Sequence, residues 1–117
     1  KSVSAFAPIC SPLNCPWGHK TLGNYLGADR DSWAQYDTVA LVAEASEHLP
    51  VLVDQGEADN FLDEQLKTPL LIEAAKRAGF PMDIRMQPEY DHSYFFIATF
   101  IGEHMAFHAR ALGASKA

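Results

Sequence analysis

Residues Pro50–Asp54 read PVLVD, an unbroken apolar and β-branched run with proline before it and Gly56 soon after. A strand that faces solvent on one side alternates in character; an unbroken run suits a strand buried on both faces, the parallel-sheet case. Parallel neighbours cannot be joined by a hairpin, so long crossovers must connect them. The chain supplies the parts in that order. Ser2–Ala7 (SVSAFA) is a short apolar run ending at Pro8, and Met82–Met86 (MDIRM) is an alternating, less buried third strand. Asp63–Ala78 carries Leu66, Leu70, Leu71, Ala74, Ala75 and Ala78 at helical spacing, with Pro69 suited to its first regular turn and Gly79 to its stop. Ser93 caps a last helix reaching about Leu112, whose expected buried stripe is Ile97, Ala98, Ile101, Met105 and Leu112. Cys10–Gly27 is rich in Pro, Gly and Asn and reads as a loop with one helical turn around Lys20–Leu26. Asp31 or Ser32 caps a short helix carrying Trp33 and Tyr36, and Asp37 starts another with Val39, Leu41, Val42 and Ala45 on or near one face. The expected fold class is α/β: three parallel strands, right-handed crossovers, and flanking helices on both faces.

The 117 residues make one small domain, residues 1–117. A buried apolar strand at a sheet edge is a liability. Ser2–Ala7 is therefore expected to pair with a strand from an upstream part of the same fold, or with a second copy as a homodimer. The net charge is −6 and only nine basic residues are present, scattered along the chain, which argues against nucleic acid or an anionic membrane as the main partner. No apolar run approaches the ~18 residues of a membrane span. Lys1–Pro8 is too short for a signal peptide and lacks a cleavage pattern. A disulfide between Cys10 and Cys15 would close a tiny loop, so free thiols and a cytoplasmic location are expected.

Two motifs carry chemistry. Val51–Leu62 (VLVDQGEADNFL) reads as a strand entering a turn that presents Asp59. Glu89–Phe96 (EYDHSYFF) reads as a loop that presents His92 just before a helix cap. Both lie at the carboxyl ends of strands, where binding sites of parallel sheets gather. An unperturbed imidazole titrates near pH ~6.5 and suits general-base work, and a carboxylate beside it fixes its tautomer. Asp followed by His is also the order of the last two members of a Ser–Asp–His triad on such a sheet. The nucleophile elbow, G-x-S-x-G, is absent from these 117 residues. Among competing acids, Asp54 belongs to the strand end, Asp63 and Glu64 to a solvated turn, and Asp91 to local backbone bonding.

Metal readings are weaker. Cys10, Cys15 and His19 lack a fourth ligand and the usual C-x2–4-C clip. His104 and His108 stand four apart as in H-E-x-x-H, but Met105 occupies the place of the glutamate; solvated histidines near a helix C-terminus are expected. Trp17, in NCPWGHK, is a large aromatic in an irregular loop and a candidate pocket wall.

The segments SVSAFAPICSPLNCPWGHK, DQGEADNFL and YDHSYFFIATFI resemble the S-formylglutathione hydrolase (esterase D) family of α/β-hydrolases. The resemblance covers nearly the whole chain. It implies that the three strands are the last three of a larger, mostly parallel sheet, so that residues 1–117 form a C-terminal segment. By it, Asp59 matches the triad acid, His92 the triad base, and Trp17 a pocket-lining position. The implied activity is hydrolysis of S-formylglutathione to glutathione and formate, with small-molecule thioesters and short esters as substrates and no cofactor or metal. The serine and most of the oxyanion hole would lie in the missing N-terminal part of the same fold, and this chain alone is expected to be inactive.

Overall fold

The computed structural model describes residues 1–113. Strands β1 (Val3–Phe6), β2 (Val51–Gly56) and β3 (Met82–Gln87) form one sheet in the order β1-β2-β3. Both pairings are parallel, with Phe6 opposite Asp54 and Asp54 opposite Arg85. The helices are α1 (Pro16–Leu26), α2 (Thr38–Val42), α3 (Thr68–Ala78) and α4 (Tyr94–Ala111). The α/β class and the parallel strands with flanking helices are as expected.

Alternation along β2 divides the molecule. Val53 faces α2 and α3, forming with Cys10, Val42 and Leu71 a buried apolar cluster. Asp54 faces α4. That second face mixes Phe6 and Leu52 with the polar Ser2, Ser4, Asp54, Arg85 and Gln87, and its polar groups decide how α4 sits. The helix does not bury Ile97, Ala98, Ile101, Met105 and Leu112 as expected. Phe96 and His104 are its buried residues, while Ile101, Met105 and Leu112 are exposed. His104 and His108 are correspondingly not solvated. His104 Nε2 lies 2.7 Å from Asp54 Oδ2, and the His104 ring stacks on Phe6. His108 sits between the hydroxyls of Ser2 and Ser4, at 2.6 and 2.8 Å. A helix opposite polar strands turns its histidines inward, because buried polar groups need partners more than apolar ones need burial.

The region after β1 is more ordered than its composition suggests. Helix α1 runs eleven residues because Pro16 occupies its first turn and the Cys15 sulfur accepts the Gly18 amide at 3.3 Å. In place of a helix there are two short 3-10 turns, Arg30–Ser32 and Ala34–Tyr36, with Trp33 at the junction between them; Asp29, not Asp31 or Ser32, caps the first. Asp37 starts α2 as expected. It is fully buried and accepts from the Ala40 amide, the Ser11 hydroxyl and the Leu13 amide, which ties the loop after β1 to that helix. Residues Leu62–Leu66 form a π turn, and Lys67 at φ 57° separates it from α3, so the regular helix begins beside Pro69.

Asp54 is the charged centre of the α4 face. Burial pushes its pKa up, but bonds from Arg85, Gln87 and His104 outweigh this and hold the carboxyl below its ordinary range. Arg85 makes a two-pronged pair with it, at 2.8 and 2.6 Å, and also reaches Glu103 on α4 at 2.8 Å. A depressed folded pKa stabilises fully above the unfolded value of ~3.9 and is lost as pH falls through the folded one. Asp54→Asn should therefore cost roughly 2 kcal/mol or more at pH 7 in urea unfolding, with the gap to wild type closing in acid. A gap independent of pH would contradict this account of the charge cluster.

Candidate active site

The turns after β2 and β3 are stitched together by backbone. The Glu57 amide donates to the Gln87 carbonyl and the Ala58 amide to the Tyr90 carbonyl, both at 2.9 Å. Gly56 permits the approach: a Cβ there would overlap the Tyr90 carbonyl. The Asp59 carboxylate is closed off from solvent, with Oδ1 accepting the Phe61 amide at 2.8 Å and Oδ2 accepting the Gln55 side-chain amide at 3.0 Å. His92 follows the β3 turn and precedes Ser93, whose hydroxyl caps α4 at the Phe96 amide. Its Nδ1 stands 2.8 Å from Asp59 Oδ2. The two sequence-predicted residues, 33 positions apart, are thus in direct contact.

The geometry sets the tautomer. An ionised carboxylate only accepts, so Nδ1 carries the hydrogen and Nε2 keeps a lone pair. The His92 side chain is 41% exposed while the Asp59 side chain is fully buried. Among the described residues the ring has no other hydrogen-bond partner. The arrangement is an oriented base with one open nitrogen.

Aromatic rings flank the base. Phe61 meets His92 edge-on, with centroids 5.3 Å apart, and Trp17 packs on Phe61 at 4.8 Å. The Trp17 amide is anchored by Gln65 Oε1 at 2.9 Å. A cleft of about 290 Å³ opens on another part of the site, lined by His92 and Ser93 ahead of α4, by Tyr94, Phe96 and Ile97 in its first turn, and by Phe6 and Ala7 at and just past the end of β1. Trp17 stands in the aromatic row and does not line that cleft.

The other candidates are placed elsewhere. Asp54 is committed to Arg85, Gln87 and His104. Burial pushes the Cys10 thiol pKa up to about 11, which disfavours the nucleophilic thiolate at neutral pH, and its Sγ lies 3.5 Å from the Pro8 carbonyl oxygen. Cys10 and Cys15 are buried free thiols, and His19 Nε2 lies 2.6 Å from the Leu13 carbonyl oxygen. Gln55 escaped the sequence reading, although its position beside Asp54 in an unbroken strand marks it as a buried polar residue that needs partners.

A family model, Esterase ("Putative esterase"), matches residues 1–107. The chain belongs to this esterase family. It is 48% identical over 113 residues to the S-formylglutathione hydrolase of Arabidopsis thaliana, covering 96% of the chain and 40% of that enzyme. The solved structure of an S-formylglutathione hydrolase from Agrobacterium tumefaciens superposes with a TM-score of 0.87 at 44% identity, over 93% of this chain and 39% of that one. A ferulic acid esterase shares the fold, with a TM-score of 0.66 at 22% identity. The chain thus spans about two fifths of the length of these esterases.

Gly56 offers the sharpest test of the geometry. Gly56→Ala should leave the apolar cluster behind β2 intact but push the two turns apart. The resonance of a proton shared between His92 and Asp59 should then vanish from the NMR spectrum while amide dispersion persists. An unchanged resonance would mean that the close approach does not hold the pair.

Proposed function

We propose that this chain is the acid–base portion of a serine thioesterase that converts S-formylglutathione and water to glutathione and formate, with short acyl esters as secondary substrates. The contact between Asp59 Oδ2 and His92 Nδ1 at 2.8 Å carries the reading, and the 48% identity to a named S-formylglutathione hydrolase supports the substrate class. Residues 1–117 would be the C-terminal segment of the fold. The serine and oxyanion donors would come from the part of the relatives that this chain does not span.

In this reading His92 Nε2 removes the proton of that serine as its oxygen attacks the thioester carbonyl. Asp59 stabilises the imidazolium, and the proton passes to the departing thiolate. Water then attacks the formyl-serine with the same histidine as base, releasing formate and restoring the serine. Phe61 and Trp17 supply an apolar wall beside the base. This chemistry uses no metal. It is also the chemistry of formaldehyde detoxification in a cytoplasmic setting.

The exposed flank of α4 supports a larger fold. Tyr94, Phe95, Ile101 and Met105 lie open to solvent, and Val3 on the β1 edge is 47% exposed. The remaining part of the same fold would cover these surfaces. A homodimer through the β1 edge is the second reading; sedimentation of the chain as a monomer at micromolar concentration would count against it.

Purified alone, the chain should not hydrolyse p-nitrophenyl acetate above background. Combined with the complementary three fifths of a related hydrolase, it should restore turnover of S-formylglutathione. In that enzyme His92→Ala or Asp59→Asn should lower kcat by roughly 10³–10⁴-fold. Full activity of either variant would sink the proposal.

A further inference from the structure

Gln55 is fully buried at the end of β2, and the catalytic reading gives it no role. Its Nε2 lies 3.0 Å from Asp59 Oδ2 and 3.0 Å from the Gly56 carbonyl oxygen, while its Oε1 lies 3.2 Å from Thr68 Oγ1. Both groups facing Nε2 accept, so that end of the amide must be the NH₂ and the Thr68 hydroxyl must donate to the other. The amide therefore has one satisfied orientation. It spends one hydrogen on the same carboxylate oxygen that meets His92.

We propose that Gln55 is a positioning residue for the acid–base pair, locked by Thr68 and holding Asp59 Oδ2 in line with His92 Nδ1. This rests on the assignment of Asp59 and His92 above. Without Gln55 the carboxylate keeps the Phe61 amide on Oδ1 and, on Oδ2, His92 alone. The Phe61 amide still restrains the carboxylate through Oδ1, but among the described residues no donor other than the imidazole itself then holds Oδ2. A buried polar group that aims a functional carboxylate from behind is how a site holds its geometry before substrate arrives. The run Thr68–Gln55–Asp59–His92 links the start of α3 to the start of α4 through side chains alone.

The test reads the tautomer and needs no turnover. The ring nitrogens of His92 would be assigned by ¹⁵N NMR at pH ~8.5, where an ordinary imidazole is neutral. Wild type should hold the proton on Nδ1 over Nε2 by about ten to one or more, as a charge-assisted bond allows. Gln55→Met, similar in length but without donors, should bring that ratio to about one to one while the amide spectrum stays native. Thr68→Val retains Gln55 but frees its amide to turn, and should give an intermediate ratio. It also decides the matter if Gln55→Met fails to fold. Folded variants that keep the wild-type ratio would overturn the role of Gln55 and leave the catalytic assignment standing. A wild-type proton on Nε2 would instead overturn the pairing of Asp59 with His92, and the proposed function with it.

Discussion

The backbone seam between the turns after β2 and β3 is the constraint on which the site depends. Two amide-to-carbonyl bonds, Glu57 to Gln87 and Ala58 to Tyr90, bring together segments that the chain otherwise keeps apart. Glycine at position 56 is what lets the Tyr90 carbonyl close on the strand. Once the turns are joined, Asp59 and His92 have little choice of neighbour. A hydrogen bond between buried carboxylate and half-exposed imidazole then settles which nitrogen carries the hydrogen. The contact thus follows from a main-chain approach, with the side chains completing it.

The α4 face contributes in a different way. Asp54 lies at its centre, held by Arg85, Gln87 and His104. A buried ion pair of this kind is weak evidence for stability, because desolvation offsets much of the attraction. Its clearer effect is on geometry. His104 and His108 reach β2 and β1 respectively, so α4 has one rotation about its axis that satisfies both. That rotation exposes Ile101 and Met105 and buries Phe96. It also fixes the start of the helix, where Ser93 follows directly on His92. The buried Nδ1 of His104 lacks a partner among the described residues, a cost the arrangement carries.

Much of the fold was legible in the sequence because strand periodicity and helix punctuation are local signals. PVLVD could only be a buried strand, Gly79 could only stop its helix, and Ser93 capped where a cap was expected. The contact of Asp59 with His92 was legible because each follows a strand in a parallel sheet, where carboxyl ends share one rim. The orientation of α4 was not. An apolar stripe from Ile97 to Leu112 looks like a core face, and only the polar residues of β1, β2 and β3 opposite it reverse that reading. The same blindness hid His104, which reads as a surface histidine until Asp54 is seen across from it. The full length of α1 was not legible for a related reason: a thiol cap at Cys15 is a weaker signal than an oxygen cap.

The account stands on the direct contact of the Asp59 carboxylate with the His92 imidazole in the folded chain. A crystal structure of this chain measures that most directly. The expected result is direct contact of Asp59 Oδ2 with His92 Nδ1, near the 2.8 Å found here, in a folded sheet with Gly56 against Tyr90. A folded chain in which the imidazole has swung to solvent and the carboxylate is bonded only to backbone would contradict it.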